Sequence, residues 1–159
     1  MTLQMEEKAQ AFFEEMRRRY FPAERNQIGA HLTLFHTLPE AHELAETLRR
    51  VAGRSRFSMR VTGLRSLGRG VAYKLASGEL LGLHAELSGA FVDHLTAQDR
   101  QRFMPHVVVQ NKATPEAARA LLAELERGFV PFEVEATGLE LWNYLGGPWR
   151  LAEAFPFSE

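Results

Sequence analysis

The chain has 159 residues, a net charge of −1 and no cysteine, which excludes disulfide scaffolds, thiolate metal sites and cysteine nucleophiles. Its 45% hydrophobic content suits one globular domain, expected over residues 1–159. A nearly neutral balance argues against a protein that coats long nucleic acid by bulk electrostatics. The opening MTLQMEEKAQAFFEEM is acidic where a signal peptide needs a basic and then an apolar segment. No apolar run approaches the roughly 20 residues of a membrane span, so a cytoplasmic protein without a membrane partner is expected.

Ala9, Phe12, Phe13 and Met16 have helical spacing within residues 6–20, and the helix should stop before Pro22. Residues 30–36 alternate like a strand. Thr37 then opens TLPE, a capping-box pattern for a helix over about 39–52, with Pro39 tolerated in its first turn. Strand-like runs at 57–67 and 71–75 flank GRG, a hairpin signal. A helical pattern over 79–92 and the turn-like TAQDRQRFMP follow. HVVVQ is expected to form a strand, Thr114 to cap a helix with Pro115 at its first position, and residues 131–154 to form two more strands.

Charge is unevenly spread along these elements. Arg49 to Gly78 holds eight basic residues and no acidic one, whereas Thr114 to Leu141 holds six glutamates against Arg119 and Arg127. The basic run is either a solvated face or an anion-attracting surface suited to a small ligand. Arg60, Arg65 and Lys74 within it, and Lys112 beyond it, are candidate phosphate contacts, with Lys74 preferred.

The second half repeats the first. A shift of 75 residues places His31 on His106, Phe57 on Phe132, and Thr62-Gly63-Leu64 on Thr137-Gly138-Leu139. One further residue of shift matches Pro39 with Pro115 and Tyr73 with Trp149. Units of about 30–77 and 105–155 therefore each run strand, helix, strand, strand, and should pack as pseudo-symmetric lobes across a cleft.

Alternation along a strand puts His31, Thr33 and Phe35 on one face and His36 on the other. His106, Val108 and Gln110 likewise share a face, and the repeat aims His31 and His106 into one groove. Two such imidazoles suit phosphodiester chemistry: one takes a proton from the attacking hydroxyl or water, the other protonates the leaving oxygen. A hydroxyl two residues after a histidine can bond non-bridging phosphate oxygens. No metal or cofactor is needed. His42, His84 and His94, beside helical patterns, are expected to be surface or capping residues. HELAE and HAELS lack the second histidine of a metalloprotease helix, and GLRSLGRG fits a hairpin better than a phosphate loop.

HLTL at His31 and PHVVV at Pro105 resemble the paired H-x-T-x motifs of the two-histidine (2H) phosphoesterase superfamily, in its bacterial 2'-5' RNA ligase or RNA 2',3'-cyclic phosphodiesterase (LigT-like) branch. The resemblance extends over nearly the whole chain. It implies an α+β fold, bilobal and duplicated about a pseudo-twofold, with two antiparallel sheets around a central cleft and helices outside. It also implies metal-independent chemistry on RNA ends or small nucleotides carrying a cyclic or 2'-linked phosphate. Carried over by position, His31 and His106 are the catalytic pair and Thr33 a phosphate-binding hydroxyl.

Val108 stands where the second motif should carry its hydroxyl. Losing one hydrogen bond to a charged group costs about 1.5–3 kcal/mol, so an alternative is a weakened or inactive module that binds phosphorylated ends. Gln110, one step further on the same face, either partly substitutes for the hydroxyl or is a polar residue at the cleft rim, the second reading being preferred. Tyr73 and Trp149 either stack a base across the groove or pack in the core. A monomer is expected.

Overall fold

The computed structural model describes residues 1–159, except for the side chains of Ala41 and His42. The expectation for His42 thus lies outside the described residues. The elements are β1 (Thr2–Met5), α1 (Glu7–Tyr20), β2 (Leu32–Thr33), α2 (Ala41–Ala52), β3 (Phe57–Ser66), β4 (Val71–Ala76), α3 (Gly78–Ala90), β5 (His106–Gln110), α4 (Pro115–Arg127), β6 (Phe132–Tyr144) and β7 (Trp149–Pro156).

Side-chain capping accounts for two of the four helix starts. Thr114 Oγ1 accepts the Ala117 N–H at 3.1 Å and Pro115 occupies the first turn, where its missing N–H costs nothing. Ser77 caps α3 by accepting from Leu80 N–H. The capping box expected at TLPE does not form: α2 begins at Ala41, and Glu40 caps it without a side-chain bond. Thr37 N–H is instead held by the Asp99 carboxylate at 3.2 Å, which fixes this segment as loop before a helix can start.

All seven strands join one antiparallel network in the order β1-β2-β5-β4-β3-β6-β7, and β1 also pairs with β6. The two expected sheets are therefore hydrogen-bonded into a closed circuit of six strands, with β7 attached outside it. The order strand, helix, strand, strand occurs twice, as β2-α2-β3-β4 and β5-α4-β6-β7. Each helix packs on the other half's hairpin: α2 on β6 and β7, α4 on β3 and β4. Burial against one shared core, which includes Phe13, Leu48, Met59, Val61 and Leu139, fuses the halves; each large apolar side chain contributes about 1.5–3 kcal/mol.

The repeated Thr-Gly-Leu tripeptide has a structural cause. Val61 pairs with Leu75 and Gly63 with Lys74, leaving Thr62 as an extra residue in β3. In β6 Gly138 pairs with Gln4 and Ala136 with Met5, leaving Thr137 extra. Both are bulges, which bend a strand and re-aim its neighbours. At Gly138 a Cβ would lie 2.8 Å from the Phe155 carbonyl oxygen, so the close approach of β7 requires glycine.

Candidate functional site

β2 and β5 run antiparallel with Leu32 opposite Val107, and both of these side chains are fully buried in the core. Continuing that register by one residue each way sets His31 opposite Val108 and Thr33 opposite His106. The four motif positions thus share the face turned away from the core. His31 and His106 are diagonal neighbours, a relation that sets residues about 7–8 Å apart, and the charge of His106 lowers the His31 pKa.

The two rings are held by the same device. His31 Nδ1 lies 2.7 Å from the Gly29 carbonyl and His106 Nδ1 lies 2.7 Å from the Met104 carbonyl, in each case two residues upstream. A carbonyl only accepts, so Nδ1 carries hydrogen and the lone pair of the neutral ring sits on Nε2. Burial draws the His31 imidazole down to about 4, against the raising effect of the Gly29 bond, and the Arg17 guanidinium lowers it further. Arg17 is only 4% exposed. It donates to Val108 O at 2.9 Å and to Asn26 Oδ1 at 2.7 Å, and stacks on the Phe21 ring. A desolvated cation thus stands behind β5.

His36 is the residue that strand alternation misplaces. β2 spans only Leu32–Thr33 and the chain bends at Leu34 and His36, so face parity lapses before His36. Its ring lines a cavity of about 130 Å³ together with His31, Thr33, Trp142 and Trp149. His36 Nδ1–H donates to Asp99 Oδ1 at 2.8 Å, and His36 N–H donates to the same oxygen at 2.9 Å. The Asp99 side chain is 1% exposed. Burial pushes its carboxyl up, but the bonds from His36 and Thr37 outweigh that and leave it below the ordinary carboxylate value. Asp99 lies 63 residues from His36 in the chain, inside a stretch that carried only turn signals; the pairing had no signature in spacing.

His84 also departs from expectation. Rather than lying on the surface or capping a helix, it is sandwiched between Phe35, at 4.7 Å, and Phe103, at 3.9 Å, with all three rings nearly parallel. Burial lowers its pKa. Phe35 follows Thr33 and Phe103 precedes His106, so one α3 side chain braces both motif segments. His94 is exposed, as a surface residue should be.

Lys74 is the cross-strand partner of His106. Trp149 borders the small cavity with His31. Tyr73 does not reach the groove: it is 4% exposed, shares the core face with its partner Val107, and meets Phe12 and Phe13 edge-on at 5.6 Å. The mirrored aromatics diverge because β4 is an inner strand whose core face is covered by α1, whereas β7 lies outside the circuit. Gln110 is buried rather than at the rim, and its Oε1 has no hydrogen-bond partner among the described residues. Arg60 is paired with Glu133 at 2.9 Å.

His31 also opens on a cavity of about 850 Å³ edged by Glu6, Glu14 and Glu140. Burial raises the Glu140 carboxyl, which accepts from the Thr2 hydroxyl at 3.2 Å. Among the described residues no three His, Asp or Glu side chains are grouped to hold a metal ion, and no helix is long and apolar enough to cross a membrane.

Residues 5–148 match the family model of the 2'-5' RNA ligase superfamily. Among curated proteins no sequence matches the chain. Solved structures with a similar fold include TT0787 of Thermus thermophilus, 17% identical with a TM-score of 0.63, over 98% of this chain and 95% of that one. E. coli LigT complexed with 3'-AMP is 17% identical with a TM-score of 0.57, over 99% of this chain and 96% of its own. A structure described as a phosphoesterase is 16% identical with a TM-score of 0.60, over 99% and 96% of the two chains. With a family match spanning nearly its full length and the duplicated α+β fold to accompany it, this chain belongs to the 2'-5' RNA ligase superfamily.

Proposed function

We propose that the protein is a metal-independent phosphodiesterase acting on a 2',3'-cyclic phosphate or a 2'-5' linkage in RNA or a small nucleotide. The observation that carries this reading is the pair of Nε2 atoms on one face of adjacent strands, each left free by the same Nδ1 anchor. In hydrolysis of a cyclic phosphate, a water oxygen bonds phosphorus as His31 Nε2 takes its proton. The bond from phosphorus to one ribose oxygen breaks, and His106, entering the step as the imidazolium, gives that oxygen its Nε2 proton. The product is a phosphomonoester, and proton exchange with solvent resets both rings. His31 is assigned the base role because its depressed pKa keeps it neutral at neutral pH.

Thr33, opposite His106, donates its hydroxyl to a non-bridging oxygen as charge builds there. Lys74, on the other side of His106, offsets the same charge. Trp149 at the edge of the cavity is suited to stack the base, a role Tyr73 has no access to. The bound 3'-AMP of E. coli LigT supports a nucleotide as ligand.

The test is incubation with 2',3'-cyclic nucleotides in the presence of EDTA, which should release a nucleoside monophosphate. Loss of that release in His31→Ala and in His106→Ala is expected; parental rates in both variants would overturn the assignment. Val108 favours a second reading, a module that binds phosphorylated nucleotide or RNA ends with little turnover. Tight binding by calorimetry without product, together with turnover gained in Val108→Thr, would select it.

A further inference from the structure

We infer that the groove beside His106 is a second anion site, which holds the nucleotide adjoining the reacting one at an RNA end. The inference rests on the paired-histidine reading above and deepens it, since it makes an oligonucleotide rather than a mononucleotide the substrate class.

The basic run of the sequence divides in three dimensions. Arg49 pairs with Glu153, Arg50 and Arg54 with Glu86, Arg56 with Glu135 and Arg60 with Glu133. These five arginines are neutralised at the surface. Arg65 and Lys74, later in the same run, have no carboxylate partner among the described residues, and neither has Arg102. All three line one groove of about 470 Å³, and no carboxylate lines it with them.

Besides Thr62, Ser77 and His84, its remaining wall is largely apolar, with Leu75, Leu81, Phe103, Met104 and Pro105. Leu81 and Met104 are about half exposed, at 51% and 48%, which leaves an open apolar surface beside the cations. Connection to the reacting position is direct. Lys74 is the cross-strand neighbour of His106, and Pro105 immediately precedes it in the chain.

Unpaired cations in a cleft with low-dielectric walls concentrate anions. Inorganic phosphate would use the charges and leave the carbon wall idle. A nucleotide uses both, with its phosphodiester on Arg65 and Arg102 and its base or ribose against Phe103, Met104 and Leu81. By contrast, the cavity on the far side of His31 is edged by four glutamates against Arg56, itself paired with Glu135, so the polyanionic strand leaves the site on the His106 side.

The test compares kcat/KM for a 2',3'-cyclic mononucleotide with that for a short RNA ending in a 2',3'-cyclic phosphate, across a salt series. The parent should prefer the RNA. In the Arg65→Ala/Arg102→Ala double variant that preference should fall about tenfold or more, and the logarithmic salt slope for the RNA should shrink by about 0.7, the contribution of the one single-strand phosphate the two arginines hold. The corresponding double lysine variant should keep the slope, which separates charge from packing. An unchanged preference and slope in the alanine variant would overturn the groove. Should the parent hydrolyse neither substrate, the histidine reading fails by itself, and anisotropy of a labelled short RNA bearing a 3'-phosphate then tests the groove. Weaker binding by the alanine variant supports it, and equal binding overturns it.

Discussion

His31 and His106 hold their rings by the same bond to a carbonyl two residues upstream, yet they look out on opposite chemistry. By register His31 has Gln4 on one flank and Val108 on the other, with Glu14 and Glu140 near the adjoining cavity. His106 has Thr33 and Lys74 as neighbours and an arginine-lined groove beyond. Burial lowers the His31 imidazole, which keeps it in the neutral form a base must start from. The basic groove beside His106 favours the approach of phosphate. Duplication supplied two equal histidines, and their surroundings then made them unequal.

The largest effect comes from breaking either half. His31→Ala and His106→Ala should each lower kcat by about 100- to 10,000-fold, and the double variant should be little worse than either one, because the two act on one proton relay. Multiplicative losses in a double-mutant cycle would mean that the halves act independently. Completing the second motif should sharpen the comparison: Val108→Thr should raise kcat about 10- to 150-fold, the worth of one hydrogen bond to a charged oxygen. No gain would mean that the Val108 position does not face the phosphate.

Acid should distinguish the halves next. In the unfolded chain His31 binds its proton near 6.5, whereas in the folded protein it does so only near about 4. Stability should therefore fall as pH drops from about 6.5 toward 4, by up to about 3 kcal/mol from this group. The acid limb of kcat/KM should likewise lie near pH 4; a limb near 6.5 would remove His31 as the base. Urea unfolding of the parent and His31→Gln at several pH values isolates the stability contribution.

Asp99→Asn should cost about 1–3 kcal/mol by weakening the bonds from His36 and Thr37. This should appear as a fall in Tm of several degrees at neutral pH. Because the Asp99 carboxyl is depressed, that difference should be full above about pH 4 and shrink as pH falls below it. The smallest effect is expected for Tyr73→Phe, which should leave KM unchanged because the ring faces Phe12 and Phe13 rather than the groove. A raised KM would return Tyr73 to the site.

What was legible beforehand follows from how locally each feature is encoded. The helix started by Thr114 and Pro115 is a matter of adjacent residues, and the duplication is visible in the matched spacing of His31 with His106 and of the two Thr-Gly-Leu tripeptides. That those tripeptides are bulges was hidden, since a bulge is defined by the partner strand. His36 was misplaced because alternation holds only while the strand lasts, and β2 ends after Thr33. Asp99 was invisible because its partner is distant in the chain. Tyr73 and Trp149 were equivalent by spacing and separated by topology: an inner strand buries its aromatic against a helix, an added outer strand does not.

The strand circuit has a consequence for solution behaviour. β1, β2, β3, β4, β5 and β6 each have neighbours on both sides, and β7 alone has one on a single side. The outer edge of β7 is therefore the one whole strand edge open to strand addition, the usual route from a sheet protein to aggregates. That edge carries Arg150 and Pro156, and its Glu153 is engaged by Arg49. Charge, a missing donor and a side-chain tether together make it a poor template for a second chain, so β7 can carry the exposed Trp149 ring without offering a clean strand edge beside it.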